Sequence, residues 1–294
     1  MTLPLDATSP APGDAAHPPG APAAVRPSAW EVVQLARHAQ RPKAPDVVRA
    51  LLTDLVEVHG DRAYRDDPAM LAGFGWFDGQ PVAVVAPRKG RDTRENLAFN
   101  FGMPNPEGYR KAIRVMRLAE KFGLPLLSVV DTPAAFPGDE AEMRGQAEAI
   151  ARAIQTMTRL RVPIVVVITG EGGSGGALAI AVGDVVLMLE YATYTVIPPE
   201  GCAAILWRDA ARAREAAAAL HLTAPDLLRL GVIDEIVPEP PGGAHLDPDA
   251  AIASVRAAVV RHLRALRGID PAALLARRYE KYRRMGQVLI EGDG

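Results

Sequence analysis

The segment GEGGSGGALAI, residues 170–180, carries the residues whose types and spacing best suit chemistry. From Gly170 to Gly175 it fits G-x-G-x-x-G, the motif of dinucleotide-binding turns. From Gly172 to Gly176 it also fits G-x-S-x-G, the nucleophile motif of serine hydrolases. A third interpretation uses only the backbone, because unpaired N–H groups at a helix start can stabilise a developing oxyanion.

The dinucleotide interpretation requires a helix that returns along the whole sheet. A buried strand, PIVVVIT, precedes the glycines, and Glu190 follows Gly170 by 20 positions, as that motif demands. However, the helix predicted after Gly176 is very short, and Gly183-Asp184 ends it. The sequence therefore disfavours a dinucleotide site.

The hydrolase interpretation makes Ser174 a nucleophile, which needs a histidine base held by an acid. His221, His245 and His262 lie downstream, but none directly follows a strong strand pattern. A serine between glycines is also typical of a tight turn without catalytic function. We therefore disfavour this interpretation as well.

The backbone interpretation explains the excess of glycine. The positive end of a helix dipole would reinforce the unpaired N–H groups at this strand-to-helix junction, and glycine lets a substrate approach without a Cβ clash. The same glycines could serve only to pack a helix tightly on a strand. The segment alone leaves both possibilities open.

Three further segments are candidates for the same site. DTPAAFPG, residues 131–138, follows a strand and is either a facing wall of the pocket or a structural turn. Residues 192–207, ATYTVIPPEGCAAILW, predict a pocket lining or a subunit contact. Residues 88–112 suit an anionic ligand or form a solvated charged loop. That last segment contains six cations: Arg88, Lys89, Arg91, Arg94, Arg110 and Lys111.

Strand and helix patterns alternate around these segments, which predicts a layered α/β domain. Residues 45–60 predict one amphipathic helix with Asp46 as its N-cap and Gly60 just past its end. Asp78-Gly79 predicts a β-hairpin. Additional strands after the short helix that follows Gly176 favour a β-β-α coil over plain βαβ units.

The composition limits the function classes. The chain has 294 residues and a net charge of −2, so bulk charge attracts neither nucleic acid nor an anionic membrane. One cysteine, Cys202, excludes a cysteine-rich zinc site built within this chain. Residues 1–27 are rich in proline and alanine and predict a disordered tail without a signal peptide. We expect residues 28–294 to form one domain and the protein to be cytoplasmic.

Several long blocks resemble one known family, the carboxyltransferase α subunit of bacterial acetyl-CoA carboxylase. They include HGDRAYRDDPAM, KGRDTRENLAFNFGMPNPEGYRKA, GEGGSGGALAI, VLMLEYATYTVI and GVIDEIVPEP, and the resemblance runs from about residue 29 to residue 286. It implies a crotonase-like (ClpP/crotonase) β-β-α superhelix with flanking helices.

The resemblance also implies a reaction and its partners. The reaction transfers the carboxyl group of N-carboxybiotin, on a biotin carboxyl carrier protein, to acetyl-CoA and gives malonyl-CoA. The expected partners are a β subunit that carries zinc, the carrier protein and acyl-CoA, in an α2β2 assembly without nucleic acid or membrane. Alternatives are a divergent paralogue with another acyl acceptor, a non-catalytic scaffold, or a self-sufficient crotonase-type enzyme using Glu171 or Asp131.

By the same resemblance, the N–H groups of Gly175 and Gly176 form the oxyanion hole on the biotin side. No protein general base is needed, because the biotin anion itself can take the proton. No metal is expected in this chain. The remaining substrate-binding positions implied are Gly172, Gly173, Ser174, Ala134, Ala135, Phe136, Gly138, Lys89 and Arg91.

The chain departs from the family pattern at three positions. The family usually has DTPGAYPG, whereas this chain has Ala134 in place of the glycine and Phe136 in place of the tyrosine. The family also usually has serine where this chain has Pro198. Ala134 adds a methyl group where close approach or a positive φ is wanted. We therefore expect Ala134→Gly to change the rate or the acceptor preference.

Overall fold

The computed structural model describes residues 26–286. The predicted tail, residues 1–27, lies almost entirely outside them. The strands are β1 (Thr53–Glu57), β2 (Met70–Phe77), β3 (Gln80–Pro87), β4 (Leu126–Thr132), β5 (Ile164–Gly173), β6 (Val185–Leu189), β7 (Thr193–Thr195) and β8 (Glu235–Val237). The helices are α1 (Ala29–Ala36), α2 (Ala44–Leu51), α3 (Thr93–Ala98), α4 (Pro106–Phe122), α5 (Asp139–Met143), α6 (Gln146–Arg159), α7 (Ser174–Leu178), α8 (Pro199–Trp207), α9 (Ala213–Ala219), α10 (Ala224–Arg229), α11 (Pro248–Leu266) and α12 (Pro271–Arg283).

One sheet organises the chain, in the order β1-β2-β3-β4-β5-β6-β8, and β7 pairs with the end of β5. The first three strands are antiparallel, and the strands from β3 onward are parallel. Strand β4 is buried along its whole length, and so is β5 except at Glu171. This burial explains why both strands are continuous apolar runs in the sequence. The predicted layered α/β domain with extra strands is confirmed.

The predicted hairpin is confirmed at Asp78-Gly79, which joins β2 to β3. Both residues have positive φ, 49° and 74°, as a type I′ turn requires. All eight residues of β2 pair with residues of β3 in continuous register.

The single helix predicted over residues 45–60 is wrong. Helix α2 ends at Leu51, and Thr53–Glu57 form the edge strand β1. Asp46 is the third helical residue rather than the N-cap; its side chain accepts the backbone N–H of Lys43. Because an edge strand is half exposed, its apolar residues need not alternate strictly, and here their spacing imitates a helix.

The C-terminal helix α12 is fixed by a buried arginine. Arg278 is 1% exposed and makes two hydrogen bonds to Asp184, at 2.9 and 2.7 Å. Its guanidinium also donates to the carbonyl oxygens of Met157, Leu160 and Val162. This side chain therefore ties α12 to the end of α6 and to the strands beside it. Between residues 26 and 286, no helix combines the length and the apolar character needed to span a membrane.

Candidate functional site

The glycine-rich segment lies at the junction between β5 and α7, as predicted. Strand β5 ends at Gly173 and α7 begins at Ser174, so no loop separates them. Ser174 has φ of 53°, a left-handed conformation that is uncommon for a residue with a side chain. The chain therefore turns sharply from strand to helix within one residue.

Two of the glycines are needed for packing against the loop that follows β4. A Cβ at Gly173 would lie 1.8 Å from the carbonyl oxygen of Pro133, and one at Gly176 would lie 2.2 Å from the backbone nitrogen of Ala135. At Gly175 the nearest atom would be a methyl carbon of Ile150 at 3.6 Å, an ordinary contact. The packing explanation thus accounts for Gly173 and Gly176, whereas Gly175 has room for a side chain.

Ser174 and Gly175 are partly exposed and line an apolar cavity of about 390 Å³. Gly176 is buried behind them, and its carbonyl oxygen accepts the hydroxyl of Tyr109. The N–H groups of Gly175 and Gly176 belong to the first turn of α7, where a helix has no internal acceptors for them. The apolar lining of the cavity includes Leu178, Ala181, Val186, Tyr194, Val196, Leu220, Leu227, Val232, Tyr282 and Met285.

The loop after β4 packs directly on α7, as the contacts of Gly173 and Gly176 require. Thr132 stabilises it, because its hydroxyl donates to the carbonyl oxygen of Ala134 at 2.7 Å. The backbone N–H of Phe136 donates to Pro104, and the Phe136 ring lies against Gly138. Ala134 does not have a positive φ, so its methyl group causes no backbone strain here.

A buried ion network lies at the carboxyl ends of β3, β4 and β5. The ammonium of Lys89 donates to Asp131 Oδ1 at 2.7 Å and to Glu171 Oε2 at 2.8 Å. Glu171 also accepts from Arg37, which binds Glu200 on α8. The network therefore joins the end of α1 and the start of α8 to the segment that precedes the glycines.

The network fixes the charge of Glu171. Burial opposes ionisation of this carboxyl group, but Lys89 and Arg37 outweigh it and lower the pKa of Glu171 to about 2. Burial likewise opposes the charge on Lys89, whereas Asp131 and Glu171 raise its pKa. Glu171 is therefore an ionised, fully engaged carboxylate at neutral pH rather than a proton donor.

Only some of the six cations predicted between residues 88 and 112 are brought together. Arg88, Lys89 and Arg91 line one cavity, and Arg110 lines another. Five of the six bind carboxylates of this chain: Arg88 binds Glu57, Lys89 binds Asp131 and Glu171, Arg91 binds Asp46, Arg110 binds Asp61, and Lys111 binds Asp66.

The histidines do not support a hydrolase. His221 lies beside Asp226, His262 binds Glu235, and the ring of His245 packs on His38. Within the described part of the chain, Ser174 makes no side-chain hydrogen bond to a histidine. Residues 26–286 also contain no group of three or more histidine, cysteine or acidic side chains placed to hold a metal ion.

Several residues of the site carry no signal in the sequence. Arg37 is 134 positions away from Glu171 and 163 from Glu200. Tyr282 reaches the cavity from α12, and its hydroxyl accepts the N–H of Gly183 at 2.8 Å. Burial raises the pKa of Tyr282 to about 12, so its hydroxyl stays protonated. Only the tertiary fold brings these side chains to the glycines.

Known proteins resemble the chain over most of its length. A family model described as acetyl co-enzyme A carboxylase carboxyltransferase-like matches residues 25–286. The chain is 59% identical over 257 residues to the acetyl-coenzyme A carboxylase carboxyl transferase subunit alpha of a Thermus thermophilus strain, covering 87% of this chain and 81% of that protein. It is 57% identical over 260 residues to the subunit of the same name from Geobacter metallireducens, covering 88% and 82%.

Two solved structures share the fold at low sequence identity. Transcarboxylase 12S has 19% identity and a TM-score of 0.64; the match covers 81% of this chain and 44% of that longer one. A Pseudomonas malonate decarboxylase hetero-tetramer has 20% identity and a TM-score of 0.60, covering 74% and 89%. The predicted crotonase-like α/β fold is confirmed.

Proposed function

Because this chain belongs to the family of acetyl-CoA carboxylase carboxyltransferase α subunits, we propose that it binds carboxybiotin in the apolar cavity beside Ser174 and Gly175. The predicted function, the α subunit of a biotin-dependent carboxyltransferase, agrees with the relatives at 59% and 57% identity. The roles of individual residues and the identity of the partner proteins are our proposal. The observation that carries it is the cavity, which ends at the first turn of α7.

The cavity suits a ring that is mostly apolar and carries one polar oxygen. Its volume, about 390 Å³, lies in the range of small-molecule sites, which combine apolar walls with a few polar groups. Aliphatic side chains and Tyr194 form the walls, and Ser174 and Gly175 supply polar backbone at one end. When bound, carboxybiotin supplies the carboxyl group that is transferred.

The protein contributes backbone donors to this chemistry. We assign Gly175 and Gly176 as the oxyanion hole, in which their N–H groups stabilise a negatively charged oxygen. Donors held in place before the reaction need no reorganisation, and one such donor typically changes the rate by about 10²–10³. Of the remaining predicted contacts, Ser174 lines the cavity beside Gly175, and Ala134 and Ala135 lie against Gly176.

The ion network supports the donors and takes no proton. Lys89 is held between Asp131 and Glu171, so we assign it to shaping the site. Glu171 is a weak base, because its pKa is about 2 and both of its oxygens are engaged by Lys89 and Arg37. This agrees with a reaction in which no side chain of this chain accepts the proton.

A second subunit is needed to close the site. The cavity is open to solvent along Leu178 and Val196, which are 39% and 73% exposed, and the nearby helix α8 exposes Ile205 and Leu206. Exposed apolar surface beside a polar site is typical of a protein interface. We propose that the β subunit covers this surface, excludes water and binds the acyl-CoA, here acetyl-CoA.

The test compares two substitutions at one position, assayed in the complex with a β subunit. Gly175→Pro removes the proposed N–H donor, and Gly175→Ala keeps it while adding a Cβ in an open direction. We expect proline to lower kcat by roughly 10²–10³ and alanine to lower it less than about threefold. Equal activity of the two variants, with thermal unfolding showing both folded, would exclude Gly175 as a donor.

A further inference from the structure

A second cavity, of about 320 Å³, lies between α2 and the loop that follows β3. It is separate from the apolar cavity and shares no lining residue with it. Its lining is strongly cationic. The residues are Lys43, Pro45, Asp46, Arg49, Arg88, Lys89, Arg91, Glu95 and Phe99.

The charges of this basic cavity are unevenly neutralised. Five cations and two acidic residues line it. Glu57 binds Arg88, and Asp131 and Glu171 bind Lys89, but none of these three carboxylates lines the cavity. Arg91 binds Asp46 within the lining. Carboxylates outside the lining therefore hold Arg88 and Lys89 in place, while the lining residues themselves carry more positive than negative charges.

Three groups in the lining are not fully satisfied within residues 26–286: one N–H of Arg88, whose guanidinium otherwise binds Glu57, and the side chains of Lys43 and Arg49. The Nε of Arg88 is buried and has no hydrogen-bond acceptor, which is costly for a guanidinium N–H. Lys43 donates only to the carbonyl oxygen of His38. Burial, opposed in part by Asp131, combines with Lys89 and Arg41 to lower the pKa of Lys43. Arg49, at the end of α2, is in no ion pair.

We propose that the basic cavity binds a diphosphate group. Arginine forks match phosphate oxygens in pairs. Arg49 supplies a fork that binds no carboxylate within residues 26–286, and it lies at the same cavity as Arg88 and Arg91, which also bind Glu57 and Asp46. Phe99, at the same cavity with the Arg88 guanidinium 5.7 Å from its ring centre, adds an aromatic surface beside the charges. A carboxylate would engage only part of this lining, whereas two linked phosphates reach several cations at once.

The position of the basic cavity ties the diphosphate to the catalytic side of the molecule. Lys89 lines it and also binds Asp131 and Glu171 beside the glycine-rich junction. Two sources of a diphosphate are therefore compatible with the geometry: the diphosphate of an acyl-CoA, and a free nucleotide or pyrophosphate acting as a regulator.

The experiment is a calorimetric titration of the full-length chain with inorganic pyrophosphate. We expect binding by the wild type and a loss of roughly tenfold or more in affinity for Arg49→Glu. Arg117→Glu is the matched control, since Arg117 is exposed on α4, outside the lining and without an ion pair in the described chain. It should change the affinity less than about twofold. Lys43→Met gives a second, independent variant and should weaken binding as Arg49→Glu does.

Competition distinguishes the two sources. Coenzyme A and ADP share the diphosphate, so their relative affinities decide: displacement of pyrophosphate at a lower concentration of coenzyme A than of ADP assigns the cavity to the acyl-CoA, and the reverse order assigns it to a free nucleotide. Absence of pyrophosphate binding, or equal losses for Arg49→Glu and Arg117→Glu, would overturn the proposal. None of these measurements depends on carboxyltransferase activity.

Discussion

The two strand-to-helix junctions at the site, after β4 and after β5, are built in opposite ways. After β4 the chain leaves the sheet through residues 133–138, held by the Thr132 side chain and by a backbone hydrogen bond from Phe136 to Pro104. After β5 it enters α7 at once, through glycines. The first junction is stabilised by hydrogen bonds, including one from the Thr132 side chain. The second depends on glycines, which leave room for close backbone packing.

The two junctions depend on each other. The bare surfaces of Gly173 and Gly176 receive the backbone of Pro133–Ala135 at distances that leave no space for a Cβ. Beneath both, Asp131 accepts Lys89 as well as the backbone N–H of Glu171. Two features therefore set where the proposed donors lie: the close backbone contact between the junctions and the buried ion network beneath it. Substitutions can separate the contribution of the contact from that of the network.

Removal of the central cation should have the largest effect on stability. Lys89→Met leaves Asp131 buried without its ion-pair partner and leaves Glu171 with Arg37 alone, and we expect a loss of about 3–5 kcal/mol in the free energy of unfolding. Arg91→Met in the same loop is the control; its ion pair with Asp46 is exposed and contributes about 0–1 kcal/mol. Urea unfolding measures both, and equal losses would show that the network is not a main support of the site.

A side chain at Gly173, where the two junctions touch, should have the next largest effect on stability. Gly173→Ala places a methyl group against the carbonyl of Pro133, and we expect a loss of about 1–3 kcal/mol with a marked fall in activity. Gly175→Ala, two residues away, should change stability by less than about 1 kcal/mol. Thermal unfolding of the two variants tests this, and similar melting temperatures would contradict the close packing of the two junctions.

A pH-dependent effect follows from Glu171. Its pKa falls from an ordinary 4.5 to about 2 on folding, so its contribution to stability is full above about pH 4.5 and is lost as the pH falls toward 2. The destabilisation caused by Glu171→Gln should therefore be present at pH 7 and shrink below pH 4.5. Unfolding curves at both pH values test this; a pH-independent difference would argue against an ionised Glu171.

The smallest effect is expected at Ala134, in the junction after β4. Because Ala134 does not use a positive φ, Ala134→Gly should cost only about 0.4–1 kcal/mol, through the greater freedom of the unfolded chain. We expect the functional change to be larger than the structural one, as a shift in rate or in acyl-CoA preference. Identical kinetics of both forms across several acyl-CoAs would rule out a role for this methyl group.

Much of the fold follows from local patterns in the sequence. Asp78-Gly79 dictates its hairpin, and the apolar runs of β4 and β5 mark strands buried on both faces. The edge strand β1 resembles a helix in sequence because one face is exposed and its register is set by β2, which lies further along the chain. Residues 140–160 look like one long helix in the sequence, but the structure divides them between α5 and α6 at Gly145, whose φ is 83°.

The site is less accessible to sequence reasoning. The glycine motif locates the junction, but only the structure separates Gly173 and Gly176, which receive a neighbouring loop, from Gly175, which does not. Likewise, the cations of residues 88–112 form one cluster in the sequence, but in the structure three of them line one cavity and Arg110 lines another. Long-range ion pairs have no local pattern, and this is why the sequence does not predict the network around Lys89.

The direct passage from β5 into α7 also constrains how the chain can vary in length. One residue inserted or deleted between Ile168 and Ser174 would move the start of α7 by about 3.3 Å and exchange the two faces of the strand. A loop would absorb such a change, but this junction has none. Insertions and deletions should therefore be tolerated in the exposed connection between α11 and α12, residues 267–269, and rejected here, a difference that a scan of single-residue insertions can map.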